Sequence, residues 1–206
     1  MNEETVRRPR AGRARTRLDT GQRREQLLSI GLELFAERPY DEVWIEQVAE
    51  LANVSRGLLY HYFPTKRDFF VAVIRREGER LFEMTGTDPG APAADRLAAG
   101  LDAYLSYAEG HAKGYRAFHR ANVTSDQEIR EIYEELLVQQ QERIVEVLTE
   151  DCRAPAETLR LAVRGWLAFI VTVCLEWLAT RSPSREEVRD LCIRTLLCAV
   201  SPRAHG

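Results

Sequence analysis

The chain of 206 residues is predicted to be all-α, with about nine helices arranged in two parts. Apolar residues recur three or four positions apart along almost the whole sequence, as they do on one face of an α-helix. The sequence contains no alternating apolar and polar run of strand length, and no internal repeat. It therefore predicts an N-terminal helix-turn-helix three-helix module, followed by a C-terminal antiparallel helical bundle.

The N-terminal module is predicted from consecutive segments with helical periodicity. Pro39 ends the first helix, because proline cannot continue it. Asn53 lies in the short turn between the second and third helices, and Thr65 and Asp68 have the spacing of a capping box at the start of a fourth. The four helices expected here are Thr20–Glu37, Trp44–Leu51, Ser55–Tyr62 and Thr65–Phe82.

Residues 85–92 are rich in turn-forming residues and separate this module from the rest of the chain. Capping boxes that begin at Ser125 and Ser184 indicate where two of the later helices start. The five helices expected beyond the break are Ala93–His111, Lys113–Ala121, Asp126–Thr149, Ala156–Thr180 and Arg185–Val200. Their lengths suit an antiparallel bundle.

Charge is unevenly distributed along the chain. Residues 1–80 carry a net charge of +2 and the remainder carries −5, which together give the overall −3. Six arginines fall within residues 7–17, together with Pro9 and Gly12. Such a segment cannot bury apolar surface, so we expect a disordered arm that reaches DNA phosphates or a minor groove. A tail that only improves solubility is the alternative.

Nothing in the sequence indicates a membrane or secreted protein. No apolar run is long enough to cross a bilayer, and the arginine-rich N-terminus has no hydrophobic stretch behind it, so a cytoplasmic protein is expected. The four cysteines all lie in the C-terminal part, three of them in apolar helical patterns. We expect buried free thiols, with a disulfide or a redox sensor as the alternative.

The segment from Ile45 to Phe63 has the features of a helix, a tight turn and a second short helix. Asn53 tolerates the left-handed backbone that such a turn needs, and Val54 can fill the space beneath it. Ser55 is a good N-cap for the second helix. The unit is too small to bury its own core, yet it is shaped to lay a helix in the major groove of DNA.

The first turn of that second helix is expected to face base edges. Arg56 can pair with guanine through two hydrogen bonds, Gly57 allows a close backbone approach, and Leu58 can touch a thymine methyl group. The candidates for phosphate contacts, on this helix and the next, are Tyr60, His61, Tyr62 and Lys66. Two ordinary core helices are the alternative. That alternative explains Leu59 and Phe63, but not three consecutive polar aromatic residues.

The run from Ala49 to Lys66 strongly resembles the N-terminal module of tetracycline-repressor (TetR) type regulators, and the sequence LFAE at residues 34–37 resembles the end of that family's first helix. The resemblance covers about residues 20–68 and is only architectural beyond them. It implies an all-helical homodimer in which each recognition helix reads half of a palindromic operator. It also implies a C-terminal domain that binds a small molecule and, on doing so, moves the two DNA-binding domains of the dimer.

The resemblance also frames the domain boundaries. We expect a disordered basic arm at residues 1–18, a helix-turn-helix DNA-binding domain at residues 19–67, and an effector-binding and dimerisation domain at residues 68–206. The family commonly has a Thr or Ser that caps the second helix and contacts a phosphate, where this chain has Val43 and Trp44. The indole N–H of Trp44 can replace that contact, so Trp44 joins Ser55 among the residues expected at the DNA.

The helix expected eighth is apolar almost all round, and one of its two apolar stripes contains Val163, Ile170 and Trp177. A helix that is apolar on two faces must be covered on both sides. A second protomer is the natural cover for one face, so we expect these residues, with Leu191 and Thr195 of the last helix, in a four-helix dimer interface. A buried core within one protomer is the alternative.

The sequence is less informative about an effector pocket. Aromatic and amphipathic residues on the central helices are candidates to line an apolar cavity, with core packing as the alternative for each. The candidates are Tyr104, Tyr107, His111, Phe118, Trp166 and Phe169. His111 and His119 have no carboxylate or thiolate partner at ligand spacing, so we expect no metal and no cofactor.

These features together predict a ligand-responsive, DNA-binding transcriptional regulator, and most simply a repressor that a small hydrophobic effector releases from its operator. The expected partners are double-stranded DNA, a second copy of the chain and an unidentified small molecule. An enzyme is the first rival, but the sequence has no nucleophile elbow, phosphate-binding glycine loop or metal-ligand cluster. An architectural helical protein is the second. Only the regulator is expected to bind DNA tightly and with sequence specificity.

Overall fold

A computed structural model gives the fold and describes residues 18–121, 127–149 and 154–200. Within these ranges the chain forms nine α-helices and no strand, as the sequence predicts. The helices, α1 to α9 in chain order, are Thr20–Glu37, Ile45–Ala52, Arg56–Tyr62, Lys66–Met84, Ala93–Gly110, Ala112–Ala121, Gln127–Thr149, Ala156–Thr180 and Arg185–Val200. A short 3-10 helix, Tyr40–Glu42, lies between α1 and α2. The arginine-rich segment, the capping box at Ser125 and Cys152 fall outside the described residues.

Side-chain caps explain where several helices begin. The Thr65 and Asp68 side chains form the predicted capping box of α4, each bonded to the other residue's backbone N–H. At α9 the Glu187 carboxylate accepts a hydrogen bond from the Ser184 N–H at 2.8 Å, and the Ser184 hydroxyl accepts one from the Glu187 N–H at 3.3 Å. These bonds satisfy N–H groups that have no partner inside a helix.

Two hydrophobic clusters fill the interior. The first joins α1 to α4 with Phe118 of α6 and with the first half of α7, including Ile129 and Leu136. The second joins α5, α8 and α9 with the second half of α7. The N-terminal helices therefore share their core with α6 and α7. The boundary expected after residue 67 falls inside this shared packing and stays a prediction.

Close approaches to α1 depend on two glycines. A Cβ atom at Gly31 would lie only 2.4 Å from Cζ of Phe69, so α1 and α4 cross at a distance that a larger residue would not allow. A Cβ atom at Gly114 would lie 3.0 Å from Cδ2 of Leu32, so α6 also packs closely on α1. The first helix thus packs closely against both α4 and α6.

The structure corrects the predicted role of one stripe on α8. Val163, Ile170 and Trp177, which the sequence places at a dimer interface, are buried inside a single protomer, where α8 packs against α7 and α9. The expectation that no segment could cross a membrane also needs correction, because α8 is long and apolar enough by length and composition. A single helix of this kind is weak evidence for a membrane span, since the core helix of a soluble protein passes the same test.

The described cysteines differ in their exposure. Cys174 and Cys192 are buried free thiols, as predicted, and burial raises the pKa of Cys174 to about 12 and that of Cys192 to about 11. Both therefore stay protonated and act as small core residues. Cys198 is exposed on the outer side of α9, contrary to the expectation of burial.

Candidate DNA interface and effector cavity

The turn between α2 and α3 has the backbone that the sequence predicts. Asn53 has φ 54° and ψ 51°, which lies in the left-handed region, and the Val54 N–H donates to the Ala49 carbonyl at 2.9 Å. Ser55 caps α3, since its Oγ accepts a hydrogen bond from the Leu58 N–H at 3.1 Å. These local contacts fix the direction in which α3 leaves α2.

The first turn of α3 faces outward. Ser55, Arg56 and Gly57 are exposed, and Leu58 is half-buried. The Arg56 guanidinium lies 3.9 Å from the Glu50 carboxylate, and the two side chains are 68% and 70% exposed. An exposed ion pair of this length restrains an arginine only weakly, so Arg56 can turn toward a base. A Cβ atom at Gly57 would meet only the Ser55 Oγ, at 4.0 Å, so DNA can approach the backbone there.

The three polar aromatic residues at the end of α3 have different surroundings. The Tyr60 hydroxyl donates to Oε1 of Glu46 at 2.8 Å, and this hydrogen bond lowers the pKa of Glu46. Tyr62 is half-buried, and its hydroxyl donates to the Thr20 carbonyl at 3.3 Å. His61 is open to solvent. To contact a phosphate, Tyr60 and Tyr62 would therefore have to give up a hydrogen bond within the protein, whereas His61 is already accessible.

Trp44 and Lys66 flank α3. Trp44 is the N-cap residue of α2, makes no side-chain capping bond and is 69% exposed. Nζ of Lys66 donates to the Asp41 carbonyl at 3.3 Å and lies 4.5 Å from the centroid of the Tyr40 ring. These contacts hold an ammonium group beside the first turn of α4, whose N–H groups favour anions. We call the surface formed by Trp44, residues 55–58, residues 60–62 and Lys66 the DNA face.

Two adjoining cavities lie among the helices: the cluster residues in the wall of the first all belong to the second cluster, and those in the wall of the second belong to both clusters. The first cavity is lined by α5, α7, α8 and the segment that follows α4, and its empty space, about 560 Å³, includes open solvent at its mouth. The second cavity is lined by residues from α4 to α8, and its empty space, about 510 Å³, likewise includes open solvent. Tyr104, Gln140 and Leu167 line both cavities. A ligand that occupies the second cavity, alone or together with the first, would therefore contact residues of both cores.

The predicted pocket residues fall into two groups. Tyr104 lines both cavities, Trp166 lines the first and Phe118 lines the second. The three predicted residues that line neither cavity are Tyr107, His111 and Phe169. The polar lining residues that the sequence does not single out include Thr85, Gln140 and Arg143. Their pattern in the sequence is that of an ordinary helix end and a solvated helix face, so it carries no signal of a pocket.

Tyr107 and His111 belong instead to a polar cluster between α4 and α5. The Tyr107 hydroxyl donates to the carboxylate of Glu77, which is buried. The His111 ring stacks on Tyr107 with centroids 4.4 Å apart, and the Arg80 guanidinium lies 5.6 Å from the Tyr107 centroid. Burial raises the pKa of Glu77, although the Tyr107 hydrogen bond opposes this. These aromatic groups hold a buried carboxylate and contribute nothing to either cavity wall.

His119 is a buried histidine in the wall of the second cavity. It is 8% exposed, its Nδ1 lies 2.8 Å from the Tyr133 hydroxyl, and its ring centroid lies 4.3 Å from that of Tyr115. Within the described part of the chain, its Nε2 has no hydrogen-bond partner. Burial lowers the pKa of His119 to about 3. The ring is therefore neutral at pH 7, and one nitrogen is available to a ligand.

This histidine should make the stability of the protein depend on pH. His119 stays neutral when folded and protonates below about pH 6.5 when unfolded, so its contribution is present above that pH and is lost as the pH falls toward 3. Between pH 7 and pH 5, the wild type should lose about 2 kcal/mol more free energy of unfolding than His119→Phe. Urea denaturation at both pH values measures the difference, and His61→Gln, at an exposed position, is the control. Equal pH dependence in the wild type and His119→Phe would contradict the assignment.

An uncharged stripe runs along the outer side of α8. Leu161 is 75% exposed, and Gly165, Ala168 and Thr172 follow it at helical spacing and are exposed as well. The Thr172 hydroxyl donates to the Ala168 carbonyl at 3.1 Å, so the stripe presents mainly carbon atoms to solvent. A Cβ atom at Gly165 would have no protein atom within 4 Å.

Helix α9, which packs against α8, has an uncharged stripe of its own. Leu191 is exposed, and Thr195 is half-buried with its hydroxyl donated to the Leu191 carbonyl at 2.8 Å. Cys198, at helical spacing from Thr195, is exposed as well. We call this surface, made by Leu161, Gly165, Ala168 and Thr172 of α8 with Leu191, Thr195 and Cys198 of α9, the outer face. It contains two of the five residues that the sequence places at a dimer interface.

Comparison with known proteins identifies the family. Residues 27–73 match the family described as bacterial regulatory proteins, tetR family. Residues 93–199 match the tetracyclin repressor-like C-terminal domain, and this match alone spans more than half of the chain. This chain belongs to the TetR family.

The TetR family assignment agrees with individual relatives. The transcriptional activator FasR of Mycolicibacterium smegmatis is 26% identical over 183 residues, which cover 85% of this chain and 82% of FasR. The transcriptional repressor KstR of Rhodococcus jostii is 36% identical over 76 residues, which cover 37% of this chain and 36% of KstR. A tetR-family regulator from Streptomyces coelicolor has a similar structure, with a TM-score of 0.75, 27% identity and coverage of 88% of this chain and 82% of its own.

Membership of the TetR family makes this chain a DNA-binding transcriptional regulator. The relatives and both matched domains are regulators and not enzymes, which removes the enzymatic rival. Within the residues that the structure describes, no group of three or more His, Cys, Asp or Glu side chains could hold a metal ion. The roles of individual residues on the DNA face, in the cavities and on the outer face remain predictions.

Proposed function

We propose that this TetR-family regulator is a cytoplasmic homodimeric repressor, which a small hydrophobic effector releases from a palindromic operator. The observation that carries the proposal is the position of the second cavity, which lies between the core of the DNA-binding helices and the core of the C-terminal bundle and adjoins the first cavity. A molecule that fills such a space alters the packing of both cores together. Ligand binding and the position of α3 are thereby coupled.

On DNA, α3 enters the major groove with its first turn leading. Arg56 contacts a base edge, Gly57 allows the backbone to come close, and Leu58 touches an apolar base group. The phosphate contacts surround this turn and come from Trp44, Ser55, Tyr60, His61, Tyr62 and Lys66. Support comes from the exposure of the first turn of α3 and from the cap that fixes its direction.

Helix α6 transmits the effect of the ligand. Its Phe118 and His119 line the second cavity, while its Gly114 packs on Leu32 of α1. An ion pair between Lys113 and Glu37, 2.8 Å long, joins the same two helices. A ligand that displaces α6 therefore displaces α1 and, with it, the DNA-binding helices α2 and α3. A difference of a few kcal/mol in affinity between the two dimer conformations is enough for such control.

The outer face of α8 and α9 pairs with its counterpart in a second protomer. An exposed, uncharged stripe along two adjacent helices is typical of a surface that another helix pair covers. Twofold symmetry then places two copies of α3 on one side of the dimer. They read successive major grooves, about 34 Å apart, and this spacing requires a palindromic operator.

Repression is the simplest outcome of this arrangement. A dimer seated on an operator blocks the polymerase without needing any surface beyond its DNA contacts. The relatives include both kinds of regulator, since FasR is named an activator and KstR a repressor. A reporter gene behind the operator tests the proposal directly: deletion of the regulator should raise expression, and a fall in expression would indicate an activator.

DNA binding itself can be tested by two substitutions on the DNA face. Arg56→Ala should weaken operator binding by about 1–3 kcal/mol and relax specificity at one base pair, because it removes a contact to a base edge. Lys66→Ala should weaken binding to all DNA sequences alike and reduce the salt dependence of that binding, because it removes a phosphate contact. Gel shifts with the intergenic DNA that flanks the gene, and with random DNA, measure both effects. Equal losses on specific and random DNA for both variants would contradict this division of roles.

A further inference from the structure

Arg143 of α7 lies in the wall of the first cavity and is firmly held. Its guanidinium donates to the Phe82 carbonyl at 2.7 Å, to Oε1 of Gln140 at 2.6 Å and to the Thr85 hydroxyl. Its Cζ also lies 3.9 Å from the centroid of the Phe82 ring. These three hydrogen bonds leave further N–H groups of the guanidinium, which has five, for another partner.

All the hydrogen-bond partners of Arg143 are neutral. In the described residues no carboxylate lies within ion-pair distance of its guanidinium, whereas Arg76, Arg160 and Arg164 each pair with a glutamate. Burial lowers the pKa of Arg143, as expected for a cation that has left water without gaining a counter-charge. Such a site favours the arrival of an anion.

The first cavity is largely apolar, with the positive charge of Arg143 in its wall. The described lining residues include no aspartate or glutamate. Most of the remaining wall is hydrophobic, with Leu97, Ile144 and Trp166 among its members. Its chemistry therefore matches a molecule that has an apolar body and one negatively charged group.

We propose that the effector is an amphipathic organic anion, a carboxylate or a phosphate monoester, whose charged group pairs with Arg143. Its apolar body fills the first cavity and extends past Tyr104 into the second. This inference rests on the proposed function, because it names the chemical class of the effector. Thr85 and Gln140 position the guanidinium, so that its remaining N–H groups meet the anion without reorganisation.

A purely structural role for Arg143 must be separated from this one. Phe82 and Thr85 lie at the C-terminal end of α4, so Arg143 also tethers that helix end to α7. Loss of a tether would lower the melting temperature of the protein and weaken the binding of every ligand in the cavity alike. Loss of an anion site would remove selectively the preference for negatively charged ligands.

Isothermal titration of the full-length protein with decanoate, decyl phosphate and decanol tests the proposal, because the three probes share one tail. The wild type should bind at least one of the anions about ten-fold more tightly than decanol. Arg143→Gln should reduce this preference to less than about two-fold, because loss of the tether affects decanol and the anions alike, and Arg143→Lys should retain part of it. Arg160→Gln removes an equal charge from an arginine that lines neither cavity, and it should keep the full preference.

The outcomes separate this inference from the proposed function. Equal binding of decanol and both anions, a preference that survives in Arg143→Gln, or no binding of any probe would overturn the anionic class. If all three probes release the protein from the operator equally, the ligand-responsive function is supported and the anion site is not. If an Arg143-dependent preference is found but no probe changes operator binding, the anion site stands and the ligand-responsive function fails. A preference for only one of the anions distinguishes carboxylate from phosphate recognition.

Discussion

Gly57→Glu is expected to abolish operator binding while leaving the fold at least as stable as the wild type. A side chain at Gly57 meets open space in the protein, and replacing a glycine inside a helix removes a cost of about 0.5–1 kcal/mol. A carboxylate in the first turn also suits the helix dipole. On DNA the same carboxylate points at the groove and its phosphates, where like charges cost several kcal/mol. We expect a loss of at least about 100-fold in affinity, with an unchanged or higher melting temperature.

The matched control for this experiment is Gly57→Ala. It gains the same helix stability without the charge, so its operator affinity should fall much less than that of Gly57→Glu. Thermal melting followed by circular dichroism and gel shifts on the same preparations provide the two readouts. Retained operator binding by Gly57→Glu would show that the first turn of α3 does not enter the groove.

Gly165→Arg is expected to convert the dimer into a folded monomer. Nothing in the protomer lies near a side chain at this position, so the fold accepts the arginine. In the proposed dimer the same position lies where two α8 helices meet, and each protomer would bring a long, charged group into a closely packed apolar surface. Separation of the two DNA-binding domains should lower the affinity for a palindromic operator by about 100-fold or more. The second domain is then no longer held at a high effective concentration near its half-site.

Gly110→Arg is the matched control, because a side chain at Gly110 also meets open space but lies at the end of α5, outside the outer face. It should remain a dimer and bind the operator like the wild type. Analytical ultracentrifugation gives the mass of each variant, and melting curves check the fold. A dimeric Gly165→Arg protein would exclude the outer face as the interface.

The features predicted correctly are those that a few neighbouring residues determine. The left-handed turn at Asn53, the cap at Ser55 and the capping box between Thr65 and Asp68 each depend on contacts within four residues of the chain. Helical periodicity is equally local, so the helix bounds could be predicted closely. The exposure of Arg56 and Gly57 follows from these local features, because they set the direction of α3.

The features that the sequence misplaced depend on contacts between distant segments. The two sides of α8 are both uncharged over several turns, so composition does not tell which side α7 and α9 cover, and Val163, Ile170 and Trp177 lie on the covered side. A cavity is a gap between helices that are far apart in the chain. Arg143 therefore looks like any surface arginine until α4 and α5 are placed beside it.

The core shared by α1 to α4 with α6 and α7 limits how this protein can be re-engineered. A DNA-binding domain with a separate hydrophobic core of its own could be transferred as a unit from one regulator to another. Here a cut after residue 67 would leave behind Phe69, Phe70 and helix α6, on which α1 packs. New operator preferences must therefore be built by replacing side chains on the exposed side of α3, while the scaffold behind it is inherited whole.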